Sequence, residues 1–470
     1  MLVLVSAIMP MALFRFLSCA CCIVYLMTEA QPTNRFCFLV FATSLIFPVL
    51  LLADVVSGQV LNGAPVGSGK AFLASSLWLV ASIGAMFAWR HRPLRLLQLA
   101  VGVYATVAAI AISEIAIRTL SVRYLRPPNS QMSFSVDSNV LPGVSGVKTF
   151  TVNSLGLRGP ELPRTRSYRI IAIGGSTTEC MELDDREQWT QLLMDHLPGH
   201  KAWVANAGQS GRTSVDSILE VRSIPALQLA DAWIFLEGIN DLRDTIEKEG
   251  RPTESELEVA ANNRIHDGMP PRPFFGRLRL YQLLRNALLR ATQFGKTNSD
   301  VSIAESRRMM EFFQDCRALR ALSPIAPLPD LSIGLKEYRQ RIGALADECK
   351  AGRKRCIFLT QPGIWHDDMS PQELKLLWFG RVGDEYRPRG YVRPEQMASA
   401  MHAYNDVLLD VCRLRALECY DLAAAVPPSP EFFFDDVHFN ERGARQVADF
   451  LSERLSRVPP FTSSDDHSGR

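Results

Sequence analysis

Residues 171–180 read IAIGGSTTEC, from Ile171 to Cys180. An uninterrupted apolar run ends on two glycines, a serine, two threonines and a glutamate. Such a run, bounded by turn residues, reads as a strand buried on both faces. Gly-Gly-Ser is ordinary turn chemistry, and on that ground alone Ser176 is only a turn residue. The sharper reading makes Ser176 a nucleophile presented on a glycine turn. The rest of the chain decides between them.

The same pattern recurs. Short apolar runs end in Gly, Asn or other polar loops in YRIIAIGG, AWVANAG, DAWIFLEG, RCIFLTQP and LECYDL. Between and after them lie helical patterns: DREQWTQLLMDHL, SVDSILEV, LKEYRQRIGALADEC, PEQMASAMHAYNDVLLDVCRL and ERGARQVADFLSERL. Strands alternating with helices predict an α/β domain, a parallel sheet of about five strands with helices on both faces. In such sheets ligands bind at the carboxyl ends of the strands, where every polar loop just named falls. This domain is expected over residues 169–457, with a disordered tail over 458–470. Residues 121–168, rich in Pro, Ser and Gly, read as a linker turning into a strap over the domain edge. Residues 251–330 break the rhythm and read as an insertion. It suits a lid, a substrate wall or a membrane-surface helix. Trp365 and Trp378, in the segment after the fourth strand, suit either a substrate cleft or plain packing.

The first quarter of the 470 residues has a different character. Four apolar stretches run roughly Leu2–Met27, Phe36–Val56, Ala71–Trp89 and Leu96–Ile117. Each has about the length needed to cross a ~30 Å hydrocarbon core, so residues 1–120 are expected to form a transmembrane region of about four helices. The basic loop RHRPLR, Arg90 to Arg95, belongs on the cytoplasmic side by the positive-inside rule. Everything after residue 120 then lies outside, in a periplasm or its equivalent. Arg118, Arg123 and Arg126 argue the other way, but long domains translocate largely regardless of charge. A net charge of only +2 gives no case for a nucleic-acid partner. GAPVGSGKA, Gly63 to Ala71, imitates a phosphate loop. Its glycine spacing is off by one, and Ala71 stands where a magnesium-binding hydroxyl is required.

Ten cysteines divide by region. Cys19, Cys21, Cys22 and Cys37 fall in or beside the apolar stretches. The other six are Cys180, Cys316, Cys349, Cys356, Cys412 and Cys419. Pairing is open, and buried free thiols account for them equally well.

Four polar blocks carry the chemistry. Ser176 follows IIAIGG, and the helix after it would turn N–H groups toward developing negative charge. NAGQSGRTS ends the second strand and offers the Gly211 N–H; alone, Gly211 is a turn glycine. EGIND ends the third strand and offers the Asn240 amide; alone, Asn240 is a turn former. FFFDDVHFNERG holds Asp435 and His438 three apart, so the carboxylate can fix the imidazole tautomer. Asp436 competes for that role at a poorer separation.

In this order the blocks resemble the SGNH hydrolases of the GDSL esterase/lipase superfamily, across about residues 150–457. Gly175 stands in the middle of Gly-Gly-Ser, where the family's usual block has aspartate. The resemblance implies a three-layer α/β/α domain. It implies Ser176 as nucleophile, His438 as base, Asp435 as its partner, and an oxyanion hole of Ser176, Gly211 and Asn240. Acyl transfer of this kind requires no metal or organic cofactor. The strap VNSLGLRGPE and the LTQPGIWHDDMS segment look like a membrane-anchored bacterial subgroup. The implied activity is hydrolysis of acyl esters, such as O-acetyl groups of envelope glycans, or lipids. Two alternatives keep the same residues: an O-acyltransferase of envelope polysaccharide, and an inactive polysaccharide-binding module.

Overall fold

The computed structural model describes residues 123–164, 168–198, 202–251, 302–383 and 388–462. The four apolar stretches of residues 1–120 lie outside the described residues, as does most of the 251–330 segment. Among the described residues no helix is long and apolar enough to cross a membrane.

The chain enters through an antiparallel hairpin, β1 (Ser130–Val136) and β2 (Gly146–Val152). Then come β3 (Tyr168–Gly174), α1 (Ser176–Glu179), α2 (Trp189–His196), β4 (Ala202–Asn206), α3 (Ser214–Ser223), β5 (Ala232–Leu236) and α4 (Ile239–Glu247). The second half holds α5 (Ile303–Leu322), α6 (Ser332–Gly352), β6 (Arg355–Leu359), the short α7 (Pro371–Leu374) and the two-residue pair β7 (Arg381–Val382) and β8 (Gly390–Tyr391). It closes with α8 (Pro394–Arg415), β9 (Glu418–Tyr420) and α9 (Glu441–Leu455).

Five strands form one parallel sheet in the order β4-β3-β5-β6-β9. All five coincide with the apolar runs of the sequence. Every residue of β4 and β5 is buried, as continuous hydrophobic runs between two helical layers require. Helix α2 packs on α9, while α3, α6 and α8 pack together as a second group. The order reverses between β3 and β5, the topological switch point at which open α/β sheets bind ligands. Ser176 follows β3 and Asn240 follows β5, so the two best polar blocks meet there.

Three local differences from the sequence reading have physical causes. Within 121–168, read as linker and strap, β1 and β2 form a true hairpin that buries Phe134 and Phe150 in the main core. Its Ser-rich alternation, SFSV against TFTV, has the two-residue period of a strand. The strand-like bridges from Val152 to Arg158 and from Arg158 to Asn206 then cover the open edge of β4, which would otherwise present unpaired backbone groups. Helix α2 begins at Trp189 rather than at Asp185. The carboxylates of Asp184 and Asp185 instead accept the Thr149 and Thr151 N–H groups at 2.9 and 3.1 Å, pinning the hairpin. Residues 458–462, read as the start of the tail, continue the fold. Phe461 is buried edge-on against Tyr168, with ring centroids 5.5 Å apart.

The cysteine question resolves into two disulfides, Cys349–Cys356 and Cys412–Cys419, each spanning seven residues. Both tie the end of a long helix, α6 or α8, to the strand region that follows. Cys180 lies buried outside these disulfides. In the loop-entropy account, closing so short a loop stabilises by roughly 2 kcal/mol. Replacing Cys349 and Cys356 together by alanine should therefore lower stability by about that amount, read as a shift in denaturant midpoint. Reductant, which opens both disulfides, should move the wild type by about twice as much, and a midpoint indifferent to reductant would show that neither disulfide forms.

Candidate active site

The site begins with two glycines that no other residue can replace without a shift. A Cβ on Gly174 would run into the Leu236 carbonyl and the Thr178 hydroxyl, and one on Gly175 into the Asn240 amide. The ends of β3 and β5 therefore touch. Ser176 emerges half-buried from this contact. The helix expected after it is a single turn, Ser176–Glu179, ended by Cys180 in the left-handed conformation at φ 50°. Its end is held by Arg158, fully buried, whose guanidinium donates to the carbonyls of Glu179 (2.7 Å), Cys180 (2.6 Å) and Leu183 (2.7 Å). The same guanidinium lies 4.3 Å from the Phe150 ring centroid.

The histidine block folds onto the serine. His438 Nε2 lies 2.7 Å from Ser176 Oγ, and His438 Nδ1 lies 2.7 Å from Asp435 Oδ2. A carboxylate only accepts, so Nδ1 carries the proton and Nε2 is free to accept from the serine. Asp435 Oδ1 accepts the backbone N–H groups of Val437 and His438, both at 2.9 Å. Its Oδ2 also accepts the Trp378 indole N–H at 2.9 Å. Burial alone would raise the Asp435 carboxyl, but the His438 charge and these hydrogen bonds hold it below its ordinary value. The neighbouring Asp436 has a different task. It accepts from Trp365 Nε1 (2.9 Å), Trp378 N (2.6 Å) and Phe379 N (3.1 Å). It thereby shapes the segment that delivers Trp378.

Trp365 is buried and anchored, so it packs rather than lining a cleft. Trp378 stacks parallel to His438 with centroids 6.2 Å apart. It meets Phe312 and Phe313 of α5 edge-on. The described part of the insertion thus walls the histidine side of the site. Arg317 of α5 reinforces that wall by donating to the Phe434 carbonyl (3.0 Å) and the Leu376 carbonyl (3.1 Å).

Gly211 and Asn240 arrive on the opposite side. Gly211 adopts φ +78°, and a Cβ there would meet nothing nearer than Arg243 at 3.9 Å, so the backbone is open. Asn240 Nδ2 donates one hydrogen to the Arg212 carbonyl at 2.7 Å. This ties the third block to the loop of the second, and the other amide hydrogen is left available. Ser176, His438 and Asp435 are thus joined by hydrogen bonds, while the Asn240 amide and the carbonyl of Arg212, the residue after Gly211, lie against Gly175.

Sequence reasoning missed several contributors. Trp378 reads from the sequence only as a cleft or packing residue, yet its indole N–H is committed to Asp435. Glu182 is a second carboxylate near His438. Burial raises it to about 7, against the pull of the His438 charge. Glu179 and Arg126 brace the Gly211 loop. None carries a motif, because each acts through a partner distant in sequence.

Residues 172–446 match the model of the GDSL-like lipase/acylhydrolase family. No curated protein matches the chain. Solved structures with some likeness include an alpha/beta hydrolase enzyme from the metagenome of Lake Arreo. It is 15% identical, with 61% of this chain and 94% of that chain covered and a TM-score of 0.31. The aryl esterase of M. smegmatis is 12% identical, with 62% and 100% covered and a TM-score of 0.32. An acetylxylan esterase from Geobacillus stearothermophilus is 14% identical, with 62% and 94% covered and a TM-score of 0.32. Likeness at this level adds no weight, and the assignment rests on the family model. With more than half of its length matched by that model, the chain belongs to the GDSL-like lipase/acylhydrolase family and is a hydrolase of ester bonds.

Proposed function

We propose that the chain is a membrane-anchored serine esterase that removes acyl groups from envelope glycans or lipids by a Ser-His-Asp mechanism. The observation that carries this reading is the continuous hydrogen-bonded line Asp435–His438–Ser176, at 2.7 Å in each link. Ser176 attacks the acyl carbon as its proton passes to His438 Nε2. The oxyanion that forms is met by the N–H groups of Ser176 and Gly211 and by the Asn240 amide. His438 then protonates the departing alcohol. Water, activated by the same imidazole, attacks the acyl-enzyme, and Ser176 recovers its proton. Asp435 keeps the tautomer correct and stabilises the imidazolium that appears in each half-reaction.

The anchor is read from the four apolar stretches of residues 1–120. Two disulfides favour an oxidising compartment. That agrees with a hydrolase domain on the periplasmic face of a bacterial inner membrane, opposite the basic RHRPLR loop.

Membranes carrying the protein should label with a fluorophosphonate probe, and the label should vanish in Ser176→Ala and His438→Ala. A folded wild type that takes no label would sink the serine mechanism. Asn240→Ala should slow ester turnover by about 10²–10³, measured on 4-nitrophenyl acetate, while leaving Ser176 able to label. The pH profile follows from the charges around His438. Burial alone would lower its pKa. The Asp435 charge and hydrogen bond, followed by Glu182 and Asp436, outweigh burial and push it up to about 9. The base must be neutral to accept a proton, so activity falls as pH drops below that raised value. The ascending limb of kcat/KM should lie above the ordinary histidine value of about 6.5. Glu182→Gln removes one negative charge and should shift the limb toward acid. A limb unmoved by this change would mean that Glu182 does not act on His438.

A further inference from the structure

The loop that carries Gly211 is braced from an unexpected direction. Glu179 is the last residue of the turn that begins at Ser176. One of its carboxylate oxygens accepts from Ser210 N at 2.7 Å and from Ser210 Oγ at 2.5 Å. The other accepts from Arg126 Nη2 at 2.8 Å. The same Arg126 nitrogen donates to the Gly208 carbonyl, and Gln209 Nε2 donates to the Leu125 carbonyl at 2.8 Å. Gly208 lies so close to Thr178 and the Glu179 N–H that no Cβ fits between them. Three pieces meet at one largely buried ion pair: the nucleophile turn, the loop 207–213, and the linker that follows residue 120. The side chains of both Arg126 and Glu179 are only 10% exposed.

The charge balance has a direction. Burial would raise the Glu179 carboxyl, yet the Arg126 charge and the Ser210 hydrogen bonds hold it below its usual value. Deleting Arg126 would leave a buried carboxylate without its cation, a strongly unfavourable state. The strain can be relieved by Glu179 moving toward water. Because Glu179 holds Ser210, such a movement carries the adjacent Gly211 away from Ser176. Displacement of a catalytic group by about 1 Å can cost on the order of 10² in rate.

We propose that Arg126 and Glu179 are a positioning pair for the oxyanion loop, so that the linker leaving the N-terminal region assembles the active site. The inference rests on the proposed role of Gly211 as an oxyanion donor. Neither residue touches substrate. Both act through Ser210 and Gly208 on the placement of the Gly211 N–H.

The test uses the full-length protein in membranes, with kcat and KM measured on 4-nitrophenyl acetate. Arg126→Ala should lower kcat about ten- to a hundredfold while KM changes little. Arg126→Lys should recover most of the loss. Both hydrogen bonds issue from Nη2, and Nη1 has no hydrogen-bond partner, so a compact ammonium can replace the guanidinium. Ser176 and His438 are untouched, so Arg126→Ala should still take fluorophosphonate to completion. If Arg126→Ala does not fold, Gln209→Glu serves instead. It keeps an acceptor for Arg212, which bonds the Gln209 carbonyl oxygen at 2.8 Å, and deletes the donor to Leu125. Its kcat should fall at nearly constant KM.

A labelled wild type whose kcat is unchanged in the folded variant tested overturns this inference and leaves the esterase reading intact. The positioning role fails equally if the effect falls on KM alone, or if Arg126→Lys loses as much as Arg126→Ala. A wild type that takes no label overturns both.

Discussion

The close approach of two strand ends governs this molecule. Gly174 and Gly175 press the end of β3 against Leu236 and Asn240 at the end of β5. The sheet order reverses between these strands, so their following loops depart in opposite directions and leave a crevice. A side chain on either glycine would push the strands apart. With none there, Ser176 and Asn240 come together without a long loop from either. The half-buried hydroxyl and the amide are thus placed by backbone geometry, and their alignment costs little conformational entropy.

Around this contact lies an interior with unusually many charges, nearly all engaged. Arg158 fills its bonds with backbone carbonyls and Asp185. Arg212 joins Gln209 to Asp216 and Glu220. Asp241, next to Asn240, accepts the Ser214 N–H at the start of α3 and pairs with Arg341 of α6. Removing one member of such a buried network strands its partner, so the network resists change one residue at a time. It also braces the Asn240 side of the site with hydrogen bonds and ion pairs in addition to packing. The histidine side is built differently. The rings of Trp378, Phe379 and Phe434 enclose His438, backed by Phe312 and Phe313 of α5, and Asp436 fixes the segment before β7 through backbone N–H groups. Polar bracing on one flank and apolar walling on the other suit the proposed mechanism, in which negative charge develops beside Asn240 and a neutral His438 takes the serine proton.

The chain's chemistry is written more plainly than its supports. The five strands and the long helices α6, α8 and α9 can be located from apolar periodicity, whereas α5 falls inside the segment that reads as an insertion. The five candidate residues Ser176, Gly211, Asn240, Asp435 and His438 come from polar blocks whose order resembles a known family. These signals are local, because a strand buried on both faces must be continuously apolar and a loop at its end must carry its own polar groups. The choice between Asp435 and Asp436 is half legible, since three-residue spacing favours one. Only their separate partners, His438 for the first and the Trp378 and Phe379 backbone for the second, settle how the two carboxylates divide their work.

What the sequence determined by itself is the α/β alternation, which follows from patterns within a few residues; the candidate reactive groups come from the order of four blocks and its resemblance to a known family. The tertiary structure decided the rest. It paired the cysteines, turned a supposed linker into a hairpin on the sheet edge, and gave Trp378 a partner in Asp435. It also carried Arg126 across more than fifty positions to Glu179. No local pattern encodes such contacts. An ion pair or a disulfide depends on which distant segments the packing of helices on a sheet brings together, and one residue type can serve as surface charge or buried brace according to that packing.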